Sequence, residues 1–190
     1  MPEPLRKSSP LSGRAGVAGG GVAIVERPLL GKVIVRGDVA DAAFRDAVAD
    51  VAGTPLPTEA NTVSTGDTAT ICWLGPNEWQ IVTDEDAATT LAAALAEKLA
   101  GQHAAVVEVT DYYVTIRLTG AHARDVLVKG TPFDLHPSRF APGQCAQTRL
   151  AHATVLIVAI DDTPTYDLQI RWSMAEYLLD WLEDAALEYL

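Results

Sequence analysis

The chain has 190 residues, of which 48% are hydrophobic and 21% charged, so it can bury the core of one compact domain or of two small packed halves. Asp and Glu outnumber Lys and Arg by 25 to 14, which gives a formal net charge of -11. This acidic balance argues against a nucleic-acid-binding protein and against binding to an anionic membrane surface, because both partners attract a basic face.

Cysteine usage and the apolar runs predict a cytoplasmic protein. Two cysteines, Cys72 and Cys145, are too few for a disulfide scaffold or a thiolate zinc site. No apolar run approaches the ~20 residues of a membrane-spanning helix. The weakly apolar, glycine-rich segment at 15–25 has no clear signal-peptide cleavage site.

The N-terminus is rich in Gly, Ser and Pro, which is typical of a flexible segment. We therefore expect residues 1–27 to form a flexible tail and residues 28–190 to form a single domain. The glycines at 19–21 do not make a dinucleotide-binding fingerprint, because no strand is predicted before them and no amphipathic helix after them.

The first half of the expected domain alternates strands and helices. Phe44, Val48 and Val51 recur at helical spacing and predict one buried helix face. A Gly-Pro-Asn sequence at 75–77 predicts a hairpin turn. The predicted strands are 32–36, 69–74, 78–83 and 104–110, the predicted helices are 42–51 and 84–100, and a polar connection spans 54–67.

The second half nearly repeats this order. Val114, Ile116 and Leu118 alternate with polar residues, which predicts a strand with one apolar face. Ser173 and Glu176 predict a capping box at the start of the last helix. The predicted strands are 113–119, 144–151, 154–160 and 165–171, and the predicted helices are 121–129 and 173–190. Two units of this type predict an α+β protein with antiparallel sheets packed by helices.

The long connection at 134–145 is predicted to be a packed loop. It contains Leu135, Phe140 and two prolines, and a purely solvated loop would not need apolar side chains of this size. We interpret it as a loop that presents polar residues to a partner or a ligand.

A series of motifs surrounds this loop. They are Arg-Leu-Thr-Gly at 117–120, Ala-Arg-Asp-Val-Leu at 123–127, Lys-Gly at 129–130, Asp-Leu-His-Pro at 134–137 and Cys-Ala-Gln-Thr at 145–148, with Phe140 and Pro142-Gly143 between the last two. In this order and spacing they resemble the gamma subunit of heterotetrameric sarcosine oxidase, and the likeness extends from about residue 28 to the C-terminus. Thr131 departs from the cysteine of the family, and Thr119 replaces a serine.

The resemblance implies a fold similar to the folate-binding domain of the glycine-cleavage aminomethyltransferase. It also implies partners, namely the alpha, beta and delta subunits of a complex that oxidatively demethylates sarcosine to glycine. That complex uses oxygen and tetrahydrofolate and releases hydrogen peroxide. In the family FAD, FMN, NAD and tetrahydrofolate are associated with the larger subunits and zinc with the smallest. No cofactor is therefore expected in this chain.

His136, beside Asp134, is the side chain most typical of a general base or a metal ligand. No second ligand lies at metal spacing and no nucleophile is evident, so we favour hydrogen bonds that hold the loop. We assign no catalytic, cofactor-binding or metal residue. The loop at 132–147 is instead interpreted as a candidate partner surface, with Asp134, His136, Arg139 and Phe140 as candidate interface residues.

The remaining candidates have simpler interpretations. Cys72 and Cys145 are interpreted as small packed thiols, because an acidic chain offers little positive charge to activate a nucleophile. Trp73 and Trp79 flank a hairpin turn, where packing is favoured over stacking on a pterin or flavin ring. The acids at 108–111 are interpreted as strand-end or partner-facing groups.

The residues by themselves predict an α+β domain with no catalytic constellation, and the resemblance then implies a non-catalytic assembly subunit of a heterotetrameric flavin-dependent sarcosine oxidase. Two alternatives stay open. One is a folate-binding module of the aminomethyltransferase type, which calorimetry with tetrahydrofolate would reveal. The other is the equivalent subunit of an N-methylglutamate dehydrogenase complex, which the neighbouring genes would distinguish.

Overall fold

The computed structural model describes residues 8–27 and 29–190, and these contain eleven strands and four helices. The strands are β1 (Val17–Gly19), β2 (Val22–Arg27), β3 (Leu30–Arg36), β4 (Val63–Thr65), β5 (Ala69–Gly75), β6 (Glu78–Asp84), β7 (Ala105–Glu108), β8 (Tyr113–Thr119), β9 (Cys145–Leu150), β10 (Ala153–Asp161) and β11 (Thr165–Arg171). The helices are α1 (Ala42–Ala52), α2 (Glu85–Lys98), α3 (Ala123–Val128) and α4 (Ala175–Ala186).

The strands form two antiparallel sheets, which confirms the predicted α+β class. The larger sheet has the order β1-β2-β8-β11-β10-β9, and the smaller has the order β4-β5-β6-β3-β7. Every pairing within both sheets is antiparallel. None of the helices described is long and apolar enough to cross a membrane.

Helices α3 and α4 cover one face of the larger sheet. The alternation predicted for β8 holds, because Ile116 is fully buried in this core together with Leu168 of β11 and Ile157 of β10. Helix α4 contributes Leu178 and Leu182, one turn apart on its buried face. The apolar periods of strand and helix thus meet in one core.

Helices α1 and α2 cover the smaller sheet in the same way. Phe44 of α1 lies 5.7 Å from the ring of Trp79 of β6, measured between ring centroids. Val33 of β3, Ile81 of β6 and Leu95 of α2 are fully buried around this pair. Asp41 begins α1 as an N-cap, its side chain accepting from the backbone N–H of Ala43.

The N-terminal segment differs from the flexible tail predicted for residues 1–27. From Val22 to Arg27 it forms β2, which pairs with β8 inside the larger sheet and buries Val22 and Ile24. Gly20 and Gly21, at φ 51° and 107°, make the two-residue turn between β1 and β2. The glycines therefore serve a tight hairpin, which is the physical reason for the error. Residues 1–7 lie outside the described residues.

Two further predictions were wrong in detail. Helix α4 begins at Ala175, after a 3-10 turn at Trp172–Met174, and no side chain caps it, so the predicted capping box of Ser173 and Glu176 is absent. The connection predicted at 54–67 contains the short strand β4, which pairs with β5. Its polar sequence, Val-Ser-Thr, hides the strand period because β4 lies at a sheet edge.

The two sheets face each other through the sides that the helices leave uncovered. Cys72 of β5 packs there against Cys145 of β9, and Leu156 and Val158 of β10 complete the cluster. Backbone hydrogen bonds join the sheets beside it, from Val63 N–H to the Gly143 carbonyl at 2.8 Å and from Cys145 N–H to the Asn61 carbonyl at 2.9 Å. Away from this cluster the facing strands present polar side chains.

Candidate functional site

The loop at 134–145 is anchored to the core by aromatic packing, as its apolar residues predicted. Leu135 and Phe140 are 1% and 2% exposed. The Phe140 ring lies edge-on to Phe133 at 5.3 Å and is stacked with Tyr166 of β11 at 6.3 Å, both between centroids. Phe140 is therefore an anchor of the loop rather than part of its surface, which corrects its inclusion among the candidate interface residues.

The polar residues of the loop hold its turn, which confirms the interpretation of His136 and Asp134. The backbone N–H of His136 donates to Asp134 Oδ1 at 2.9 Å. His136 Nδ1 lies 2.8 Å from Ser138 Oγ and accepts from the Ser138 N–H at 3.3 Å. Asp134, His136 and Arg139 are all exposed, so these three candidate interface residues do lie on the surface of the loop.

The remaining sequence candidates are dispersed. Cys72 and Cys145 are buried packed thiols, as interpreted. Trp79 is fully buried and donates its indole N–H to the Pro57 carbonyl at 2.8 Å, which confirms a packing role. Glu108 accepts from the hydroxyls of Thr89 and Thr110. Among the described residues, no His, Cys, Asp and Glu side chains cluster in a way that could hold a metal ion.

A second candidate site lies between the sheets, where sequence reasoning placed none. Two cavities of about 550 and 250 Å³ share Arg27, Leu30 and Thr115 in their walls. Around them lies a set of buried polar residues, which we call the inter-sheet cleft. Its members are Lys32 and Gln80 from the smaller sheet, and Thr115, Asp167 and Gln169 from the larger sheet.

An ion-paired group forms the part of the inter-sheet cleft around Asp167. Asp167 is 6% exposed, and its carboxylate accepts from Arg117 Nε at 2.7 Å and Nη2 at 2.9 Å. It also accepts from Arg27 Nη1 at 2.8 Å. The hydrogen bond to Asp167 raises the pKa of Arg117. Asp167 thus joins three neighbouring strands, β2, β8 and β11, across the surface of the larger sheet.

Lys32 is the buried cation on the opposite wall. Its side chain is 2% exposed, and Nζ donates to the carbonyls of Leu30 at 3.0 Å and Tyr113 at 3.2 Å. The pKa of Lys32 is lowered to about 8, mainly by burial and also by the positive charge of Arg27, against the opposite effects of Asp167 and Glu85. The amine therefore bridges the sheets while remaining easier to deprotonate than a surface lysine.

Three buried acceptors in the inter-sheet cleft have no hydrogen-bond partner within the described residues. They are Gln80 Oε1, Gln169 Oε1 and Thr115 Oγ1. Gln80 and Gln169 line a small cavity of about 90 Å³ on this side of the sheets. Because buried polar atoms are almost always paired, the cleft is suited to water or to a small ligand that donates hydrogen bonds. Its groups can bind and orient a molecule.

The pH dependence of stability tests the state of Lys32. Between pH 8 and 10.5 the unfolded chain holds more protons at this residue than the folded chain, so the contribution of Lys32 to stability rises with pH. We expect the stability of the wild type, relative to Lys32→Met, to rise by about 1.4 kcal/mol from pH 7 to pH 9. Urea unfolding of both proteins at each pH measures this difference.

Lys98→Met is the control for that experiment. Lys98 is exposed and pairs with Asp50 at 2.6 Å, and this hydrogen bond raises its pKa above 10.5. The contribution of Lys98 to stability is expected to stay constant between pH 7 and 9, because its amine is protonated in both the folded and the unfolded chain. Parallel stability curves for the wild type and Lys32→Met would contradict the assignment.

One sequence signal could have located the inter-sheet cleft. Thr115, Asp167 and Gln169 occupy the polar positions of strands whose other positions are fully apolar. Lys32 and Gln80 interrupt apolar strands of the other sheet in the same way. Polar residues on the hidden face of a buried strand indicate a second layer, although they do not identify it.

Comparison with known proteins relates most of the chain to one family. Residues 36–188 match the model described as sarcosine oxidase, gamma subunit family. The sarcosine oxidase subunit gamma of Arthrobacter sp. is 31% identical over 175 residues, which are 92% of this chain and 84% of that protein. This sequence likeness includes both the loop at 134–145 and the strands that form the inter-sheet cleft.

Two solved structures are similar in fold. The heterotetrameric sarcosine oxidase from Corynebacterium sp. U-96, in complex with pyrrole 2-carboxylate, contains a chain with a TM-score of 0.84 and 27% identity, covering 92% of this chain and 88% of that one. The glycine cleavage system aminomethyltransferase T from Bartonella henselae has a TM-score of 0.62 and 16% identity, covering 87% of this chain and 46% of that one. The second likeness concerns the fold alone, and it confirms the fold that the motifs implied.

Proposed function

The chain belongs to the sarcosine oxidase gamma subunit family, and on this basis we propose that it is a non-catalytic assembly subunit of a heterotetrameric sarcosine oxidase. In this role it associates with alpha, beta and delta subunits in the cytoplasm. The complex oxidatively demethylates sarcosine to glycine, and its dependence on tetrahydrofolate is part of the proposal. FAD, FMN, NAD, tetrahydrofolate and zinc are held by the partner subunits.

The observation that carries this proposal is the match over nearly the full chain to a chain of a heterotetrameric enzyme. The chemistry of the described residues supports the non-catalytic part. His136 is the most typical general base in the sequence, and its Nδ1 is hydrogen-bonded to Ser138 Oγ in a surface turn. Asp167, the carboxylate of the inter-sheet cleft, is neutralised by two arginines. Hydrogen bonds within the chain thus hold both side chains, which favours a structural or positioning role.

Co-expression with and without this chain tests the proposal. When the alpha, beta and delta subunits are produced alone, we expect loss of the intact complex and of sarcosine-dependent oxygen consumption. Restoring the chain restores both. The purified chain by itself is expected to be colourless and inactive, because it holds no flavin. Full assembly and turnover without the chain would contradict an assembly role, and a yellow, active chain would contradict a non-catalytic one.

The same experiment can locate the partner surface. We propose that the exposed turn of Asp134, His136 and Arg139 contacts a larger subunit. Arg139→Glu is then expected to weaken association at least about tenfold, because reversing a charge that becomes buried at an interface is costly. Arg149→Glu is the matched control, because Arg149 on β9 is also an exposed arginine. If both variants associate equally well with the partner subunits, the proposal that this loop lies in the interface is wrong.

A folate-binding module is the second candidate, and the inter-sheet cleft is the observation that favours it. Gln80 and Gln169 leave buried carbonyl oxygens free to accept from a ligand. Calorimetry of the isolated chain with tetrahydrofolate distinguishes the candidates, since an assembly subunit shows no saturable heat of binding.

A further inference from the structure

The two cysteines of the chain lie together between the two sheets. Cys72 is in β5 and Cys145 begins β9, and they are 1% and 0% exposed. Both belong to the cluster that joins the sheets, and both are free thiols. Cys145 Sγ lies 3.4 Å from the carbonyl oxygen of Trp73, the residue that follows Cys72. The sulfur of Cys145 is therefore seated against the backbone of β5 beside Cys72.

The backbone around both cysteines is fixed by hydrogen bonds. Cys145 N–H donates to the Asn61 carbonyl at 2.9 Å. Val63, two residues after Asn61, lies in β4 and is paired with Cys72 of β5. Val63 N–H in turn donates to the Gly143 carbonyl at 2.8 Å. These bonds tie the strand that pairs with Cys72 to the segment that carries Cys145. The two thiols are thus held near each other without depending on a flexible loop.

A small solute can reach Cys72, the hydrogen-bond partner of Cys145, from the inter-sheet cleft. Cys72 lines the cavity of about 250 Å³, together with Val63, Gly143 and Val158. A water molecule takes about 30 Å³ in the liquid, and hydrogen peroxide is only slightly larger, so the cavity admits it. Arg27, Arg117 and their ion-pair partner Asp167 line the same cavity, so a polar solute meets hydrogen-bonding groups there.

The thiols also interact with one another. The hydrogen bond between them raises the pKa of Cys72 and lowers the pKa of Cys145. When the pair loses one proton, Cys145 is the favoured thiolate and Cys72 keeps the remaining proton as the hydrogen-bond donor. Thiolate character is what makes a cysteine reactive toward peroxides.

We propose that Cys72 and Cys145 are a redox-modification site, which hydrogen peroxide converts into a disulfide that links the two sheets. The inference does not rest on the proposed function, since it needs only the pair, the cavity and a peroxide. In the first step a thiolate sulfur of the pair attacks one oxygen of the peroxide. The O–O bond breaks, the sulfur becomes a sulfenic acid, and the departing hydroxide takes up a proton to give water.

In the second step the other sulfur, after losing its proton, attacks the sulfenic sulfur. The S–S bond forms, the S–OH bond breaks, and the hydroxide leaves as water. Overall the two thiols lose two electrons and two protons, and the peroxide is reduced to two molecules of water. Because the disulfide closes a loop from residue 72 to residue 145, it restricts the unfolded chain and stabilises the folded one.

Thiol mapping of the full chain tests this site. The reduced protein is treated with a small molar excess of hydrogen peroxide, denatured in N-ethylmaleimide, digested and analysed by mass spectrometry. We expect both cysteines to escape alkylation and a single peptide pair to carry the Cys72–Cys145 disulfide. Dithiothreitol should restore both alkylated peptides. The oxidised protein should also melt higher by on the order of 5–10 °C.

Variants separate the disulfide from general oxidation. Cys72→Ser and Cys145→Ser each leave one thiol and are expected to show no intramolecular link and no rise in melting temperature with peroxide. If a variant does not fold, the peptide map of the wild-type protein still tests whether the disulfide forms. Two alkylated cysteines after treatment would overturn the proposal, as would sulfinic acid without a disulfide or a disulfide formed only between chains.

Discussion

Replacing Trp79 with alanine is expected to lower the free energy of unfolding by about 3–5 kcal/mol, the range for a fully buried tryptophan. Trp79 is 0% exposed, packs on Phe44, and donates its indole N–H to the Pro57 carbonyl. The substitution opens a cavity between β6 and α1 and leaves that carbonyl without its donor. Urea or thermal unfolding of the purified chain measures the loss.

Trp73→Ala is the matched control, because Trp73 and Trp79 are directly paired across β5 and β6. Trp73 is only half-buried against the same core, so its loss is expected to cost clearly less. The loss of stability caused by Trp79→Phe should lie between the losses caused by Trp79→Ala and Trp73→Ala, since phenylalanine keeps most of the apolar contact and loses the hydrogen bond. Equal effects of Trp79→Ala and Trp73→Ala would contradict the assignment of Trp79 to the centre of this core.

Replacing Asp167 with asparagine is expected to cost about 2–4 kcal/mol, by leaving two arginines beside a neutral amide. Removing one partner of a buried ion pair costs more, but the side chains of Arg27 and Arg117 are 38% and 29% exposed and water compensates part of the loss. Asparagine preserves the size of the side chain, so the change reports on charge. Chemical unfolding at neutral pH measures it.

An exposed ion pair of the same chain supplies the comparison. Asp180 bonds to Arg14 at 2.8 Å, but its side chain is 65% exposed. Asp180→Asn is therefore expected to change stability by less than about 1 kcal/mol. If both substitutions had the same small effect, the group around Asp167 would not be holding β2, β8 and β11 together.

The inter-sheet cleft gives these two predictions different meanings for function. Trp79 lies in a core that faces away from the cleft, so its loss should affect stability and leave the chemistry between the sheets alone. Asp167 lies in the cleft itself and also lines the cavity beside Cys72. Asp167→Asn is therefore expected to affect both the stability of the larger sheet and the inter-sheet cleft, where buried polar groups lie beside the two thiols.

Secondary structure was the part of this protein that sequence reasoning reached best. The spacing of Phe44 and Val48 predicted α1, and the alternation through Ile116 predicted β8, because a helix and a strand each repeat their buried face with their own period. The motifs at 117–148 identified the family. The apolar residues Leu135 and Phe140 correctly indicated a packed loop.

The errors arose where a residue type has two physical uses. Glycine permits both flexible tails and tight turns, and only the pairing of β1 with β2 shows that Gly20 and Gly21 make a hairpin. Phe140 was predicted both to pack the loop and to contact a partner, and only the fold shows that Tyr166, distant in the chain, covers it. A serine before an apolar run suits a helix cap, but Ser173 lies in a 3-10 turn.

By itself, the sequence determined most of the helices and strands from β3 onward, which face of each of these is apolar, and which family the chain belongs to. The tertiary structure alone decided what lies opposite each remaining face. Lys32 meets Tyr113 and Cys72 meets Cys145 across two stacked sheets, over separations that no local period records. The physical reason is that hydrophobic periodicity states that a face is buried, while the identity of its neighbour depends on how whole sheets pack.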